Sequence, residues 1–121
     1  MSSGNDLVHV KAMIIVFAMK DCPHCEEYKP LLERELKRFQ AAGFPFDIYD
    51  GKMVPPGRIP VLFLDATTPD PTIQKLMDDY GVEGVPVTLL LTRSARPWKH
   101  EGPLPPDQIY ELLHSAALAN R

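Results

Sequence analysis

The sequence predicts an α/β fold, a mixed central β-sheet flanked by helices on both faces. Three observations predict it. The apolar run Ala12–Met19 lacks polar alternation, as a strand covered on both faces does. Segments with helical periodicity then alternate with short apolar runs. Two late runs, Val87–Thr92 and Trp98–Glu101, read as a hairpin around Arg93–Pro97 that closes one edge of the sheet.

At 121 residues the chain is expected to form a single domain, residues 1–121, with one core that needs no staples. Residues 1–6 read as a disordered tip, and Leu7–Val10 as a short strand or an extended lead-in. The first helix is expected to start near Pro23, since the first helical position has no use for the N–H that proline lacks. Tyr28, Leu32 and Phe39, with the set Leu31, Glu35 and Leu36, recur at helical spacing, and Gly43 is the stop. Pro30, inside this helix, removes one hydrogen bond and should kink it.

Phe46–Tyr49 and Val61–Asp65 are the next strands, joined by the Pro- and Gly-containing stretch 51–60. Asp70 as cap and Pro71 behind it open a second helix, with Ile73, Leu76, Met77 and Tyr80 on one face and Gly81 as its end. After the hairpin, a last helix from Pro106 to Ala119 buries Ile109, Leu112, Leu113 and Ala116. The predicted order is β-α-β-β-α-β-β-α.

Composition narrows the function classes. A net charge of −3 without a basic run argues against nucleic acid as a partner. Ala12–Met19 is too short to span a membrane, and no A-x-A cleavage site follows it. The reading is a cytoplasmic protein without a membrane partner, and nothing demands more than a monomer. In a reducing compartment, a lone cysteine pair points to catalysis ahead of stapling.

That pair is Cys22-Pro23-His24-Cys25, holding the only two cysteines of the chain. A strand feeding a CxxC at a helix start is the context for thiol–disulfide exchange. Cys22, just before the first turn, would have its thiolate stabilised by free N–H groups and the positive end of the helix dipole. It is therefore the expected exposed, attacking sulfur, with the more buried Cys25 resolving the mixed disulfide. Pro23 and His24 are the expected tuning residues, His24 by a charge or hydrogen bond offered to Cys22. The competing reading is half of a metal site. It lacks the other ligands, because His9, His100 and His114 show no ligand spacing.

Beyond the CxxC, the chain resembles the thioredoxin superfamily over roughly residues 12–118. Pro30 falls where thioredoxins carry the proline of their active-site helix. Tyr80-Gly81-Val82-Glu83-Gly84-Val85-Pro86, leading into Val87–Leu91, is similar to the segment that passes through a cis-proline. Gly102-Pro103-Leu104 matches a loop glycine near the same surface. The resemblance implies a thioredoxin fold with Pro86 cis and facing the cysteines. It also implies that Val85, Pro86, Gly84 and Gly102 form the surface on which a substrate chain docks. Disulfide-containing proteins would be the substrates, a thioredoxin reductase or glutathione the electron donor, and no dissociable cofactor would be needed.

Two local departures stand out. Asp21 replaces the tryptophan that precedes the first cysteine in thioredoxins, and Val16 replaces a buried acid six residues before it. The first half, from Lys20 through Cys25 and the following helix and strand, is also similar to glutaredoxins. The CPHC tetrad and the Val-Pro pair are similar to periplasmic disulfide oxidases. A glutathione-dependent reductase and a non-catalytic binding module on the same fold are the alternative readings.

Overall fold

The computed structural model describes residues 9–93 and 95–121. The expectations for residues 1–6 and for the first half of Leu7–Val10 lie outside the described residues, and Val10 is not in a strand. The elements are β1 (Ala12–Ala18), α1 (Pro23–Ala41), β2 (Phe46–Ile48), β3 (Ile59–Asp65), α2 (Pro71–Asp79), β4 (Val87–Thr92), β5 (Trp98–Glu101) and α3 (Pro106–Ala119). The sheet has the strand order β2-β3-β1-β4-β5. β1, β2 and β3 are mutually parallel, and β4 runs antiparallel to both β1 and β5, so the sheet is mixed.

Alternation along the strands divides the core into two layers. Ala12, Ile14 and Val16 of β1 and Leu90 of β4 point to one face, where Tyr28, Leu32, Leu36 and Phe39 of α1 meet Ile109, Leu112 and Leu113 of α3. Ile15, Phe17, Val87 and Leu89 point to the other face, against Ile73, Leu76, Met77 and Tyr80. This second layer is thinner, and no residue of α2 is fully buried. β1, central and covered on both faces, is as continuous in apolar character as its position requires.

The helix boundaries follow the capping chemistry. Asp70 accepts the Thr72 N–H at 2.8 Å and Pro71 takes the first helical position of α2. Gly43 and Gly81, at φ +94° and +64°, follow α1 and α2 in a conformation that glycine adopts without penalty. α1 continues through Pro30 as one helix. Glu35, read as part of its apolar stripe, is buried with its carboxylate 3.2 Å from the Arg38 guanidinium.

β3 starts two residues earlier than expected, at Ile59, so Pro60 lies in a strand and not in the loop. The ladder explains the tolerance. Pro60 pairs with Asp47 of β2, and pairing with β1 begins only at Val61, so the absent N–H falls at the start of the strand. The segment between β2 and β3 joins two parallel neighbours without a helix. The rest of the chain holds it in place: Val54 is buried, its carbonyl lies 2.6 Å from His9 Nε2, and Asn120 donates to the Gly57 carbonyl at 2.9 Å.

Arg58 closes the same connection with two bonds to Asp47, of 2.8 and 2.6 Å. The guanidinium holds the Asp47 carboxyl below its usual value, mainly through these bonds. A depressed carboxyl stabilises the fold above its unfolded pKa and loses that contribution as pH falls through the folded value. Both side chains are well exposed, so Asp47→Asn should cost less than about 1 kcal/mol at pH 7. The difference seen at pH 7 should shrink in acid, as pH falls through the lowered folded value of Asp47. Urea midpoints at pH 7 and in acid check this.

Candidate active site

Register brings the chemistry to one end of the sheet. Phe17 pairs with Val87 and Val87 with Glu101, while Ala18 pairs with Asp65. The chain therefore leaves β1 toward the cysteines where it also enters β4 from Pro86, leaves β5 at Gly102, and leaves β3. Ligand chemistry in open α/β sheets gathers at the carboxyl ends of the parallel strands.

Between β1 and α1 the chain turns through Lys20 and Asp21. Asp21, at φ +59°, is the one non-glycine residue with positive φ among the described residues. Aspartate is one of the few side chains that tolerate this. The turn delivers Cys22 to the N-cap of α1, with Pro23 in the first turn as its lack of an N–H allows. The Cys22 Sγ accepts the Cys25 backbone N–H at 3.2 Å, and the Glu26 N–H donates to the Cys22 carbonyl at 3.0 Å. Cys22 and Cys25 are joined as a disulfide, their Cα atoms 5.2 Å apart.

Exposure does not separate the two sulfurs as expected. Cys22 is 7% exposed and Cys25 5%, so both are buried in the disulfide form. What distinguishes them is position: Cys22 receives a backbone N–H at the helix start, whereas Cys25 lies one turn inside. Pro23 and His24 are both exposed. The His24 side chain makes no hydrogen bond or ion pair among the described residues, so it does not tie to Cys22 in the disulfide form.

The other predicted residues lie together. The Val85–Pro86 peptide bond is cis. Pro86 is buried, Val85 half-buried and Gly84 exposed. The Pro86 carbonyl accepts the Gly102 N–H at 2.8 Å, which joins the segment before β4 to the turn after β5. The Val85 N–H and C=O take no partner among the described residues, leaving a short free backbone edge. Gly102 has φ +88°, and an added Cβ would meet nothing within 4 Å. Gly102→Ala should therefore cost backbone strain alone, about 1–2 kcal/mol, read as a lowered urea midpoint.

Three features of the site were not anticipated. The Tyr28 hydroxyl and Thr88 Oγ1 share a 2.8 Å hydrogen bond, both fully buried, one turn beyond Cys25. Burial pushes the Tyr28 phenol up to about 12, against a smaller opposing effect of the Thr88 bond. Lys29 Nζ lies 5.2 Å from the centre of the Phe63 ring. A groove of about 370 Å³ runs beside Cys25, lined by Met19, Lys20, Lys29, Phe63 and Asp65. The Asp65 carboxyl is held below its usual value, chiefly by the Thr67 hydroxyl and N–H and to a small extent by Lys20. A larger cavity of about 560 Å³, between β4, β5 and α3, is lined by none of the predicted site residues. Among the described residues no three His, Cys, Asp or Glu side chains are grouped to hold a metal, and no helix is long and apolar enough to cross a membrane.

A family model described as a thioredoxin-like domain matches residues 8–117, and the chain belongs to that family. Its fold is that of solved thioredoxins. A chloroplastic thioredoxin z superposes with a TM-score of 0.63 at 17% identity, covering 97% of this chain and 90% of that one. A mutant thioredoxin from Halobacterium salinarum gives 0.60 at 19% identity, covering 88% and 75%. The germline-specific thioredoxin Deadhead from Drosophila melanogaster gives 0.59 at 14% identity, covering 87% and 80%. No curated protein matches the chain.

Proposed function

We propose that this member of the thioredoxin-like family is a protein disulfide oxidoreductase, working through the Cys22–Cys25 dithiol/disulfide couple. The observation that carries the reading is the helix-start disulfide, with Cys22 Sγ on the Cys25 N–H, at the sheet end where Val85, Pro86 and Gly102 also lie. A backbone N–H aimed at sulfur stabilises thiolate over thiol, and only thiolate attacks a disulfide efficiently.

The reaction balances in two steps. The Cys22 thiolate attacks one sulfur of a partner disulfide, forming a mixed disulfide and releasing the partner's other sulfur as thiolate. The Cys25 thiolate then attacks Cys22 Sγ, releasing the second partner thiol and closing the Cys22–Cys25 disulfide. Two electrons pass to the partner, and the two protons of the dithiol balance its two new thiols. A reductase or glutathione returns the electrons. The partner's backbone lies along the free edge at Val85, with Gly84, Pro86 and Gly102 forming the surface beneath it, and His24 supplies tuning from the solvent side. The cytoplasm is the compartment that keeps such a couple supplied with reductant.

The testing experiment is equilibration of the couple with thiol–disulfide buffers, read by alkylation. A potential near about −270 mV makes the protein a reductant, and one near about −120 to −180 mV an oxidant or isomerase. If no Cys22–Cys25 disulfide forms at any poise, the enzymatic reading fails and the binding-module reading replaces it.

A further inference from the structure

The buried Tyr28–Thr88 hydrogen bond lies one turn from Cys25 and two residues from Pro86, and packing alone does not account for it. Burying a phenol and a hydroxyl costs free energy that their mutual bond only offsets, whereas phenylalanine and valine would fill the same space at no such cost. The surroundings are apolar. Val16, opposite Thr88 across the β1–β4 ladder, points to the same face, and no further side chain bonds either hydroxyl among the described residues.

The bond spans 60 residues of sequence and joins the CxxC-bearing turn of α1 to the strand that follows the Val85–Pro86 edge. It acts where α1 is otherwise less well tied. Pro30 has no N–H, so the Glu26 carbonyl, in the turn that carries Cys25, lacks its intrahelical donor. A lateral tie at Tyr28 restores the position of that turn relative to β4.

We propose that Tyr28 and Thr88 are a positioning pair that holds Cys25 in line for its attack on the Cys22 sulfur of the mixed disulfide. The inference rests on the exchange reading above, in which Cys25 performs the second step. That step is intramolecular and its rate depends on alignment of three sulfurs, whereas the first step depends on Cys22 and the incoming partner. Loss of the pair therefore slows the second step selectively.

The test is single-turnover reaction of the reduced protein with excess of a disulfide-linked peptide pair whose two thiols are told apart by mass. Release of the first thiol reports attack by Cys22, and release of the second reports resolution by Cys25. In Tyr28→Phe and Thr88→Val the first release should stay within about twofold of the parent, and the second should slow about three- to tenfold. Thr88→Ser, which keeps a hydroxyl, should restore most of the second rate. The double variant should be no slower than either single one, because both remove the same bond. Equal slowing of both releases, no slowing of either, or a Thr88→Ser protein as slow as Thr88→Val would overturn the positioning role while leaving the exchange reading intact. A parent protein that releases the first thiol and never the second would overturn the exchange reading, and the pair's role with it.

Discussion

Cys22→Ser should reduce protein disulfides no faster than the free dithiol donor in the assay, while Cys25→Ser should perform one half-turnover and stop. The asymmetry follows from where the helix begins. The Cys22 Sγ is at the N-cap and accepts the Cys25 N–H, so removing that sulfur removes the group that the helix start stabilises as an anion. A serine hydroxyl at the same place is not ionised near neutral pH and cannot form a disulfide. With Cys22 intact and Cys25 changed, attack proceeds, and the mixed disulfide persists because the neighbouring thiolate is gone. Non-reducing gels should show Cys25→Ser as a covalent adduct with the substrate polypeptide, absent from Cys22→Ser. An adduct through Cys25 in the Cys22→Ser protein would reverse the assignment of the two sulfurs. The comparison matters because exposure does not decide the order: in the disulfide the two residues are almost equally covered.

Much of this architecture was legible in the sequence because its signals are local. β4, β5 and α3 have the bounds that apolar runs and proline positions indicate, and α2 opens at the Asp70–Pro71 cap. The CxxC, the Val85–Pro86 pair and Gly102 were readable as motifs, and ladder registers bring them to one end of the sheet. Non-local features were not readable. Pro60 looks like loop punctuation until the ladder shows that β1 does not pair at that position. The placement of β2 at the far edge, beside β3 and away from β1, is a spatial order that no local signal gives. Tyr28 reads as a core aromatic and Thr88 as a strand former, since nothing within a helix or a strand indicates a bond between residues 60 positions apart. The one available signal was Tyr28 itself, a hydroxyl on the buried face three residues after Cys25, where a core alone would take phenylalanine.

That hydroxyl should give the protein a measurable alkaline weakness. Burial raises the Tyr28 phenol to about 12, whereas an unfolded tyrosine ionises near about 10. Below pH 10 the phenol is neutral in both states, and its contribution to stability is fully present. Between the two values the unfolded chain gains free energy by releasing the proton and the folded chain does not. Stability therefore falls, by about 2–3 kcal/mol once pH exceeds the folded value. Tyr28→Phe lacks this loss but has given up the bond to Thr88, worth about 1 kcal/mol. The ranking of the two proteins should thus invert with pH: the parent is more stable at pH 8, and Tyr28→Phe is more stable near pH 12. Urea midpoints of the pair across that range test the inversion, and tyrosinate absorbance should show one equivalent, missing from Tyr28→Phe, that appears only near pH 12. A constant difference between the two proteins would mean that the phenol is solvated in the folded state. Inversion would show that Tyr28 stays protonated wherever cysteine thiolates are active, so the pH dependence of exchange there reports the cysteines and the neutral phenol acts through geometry alone.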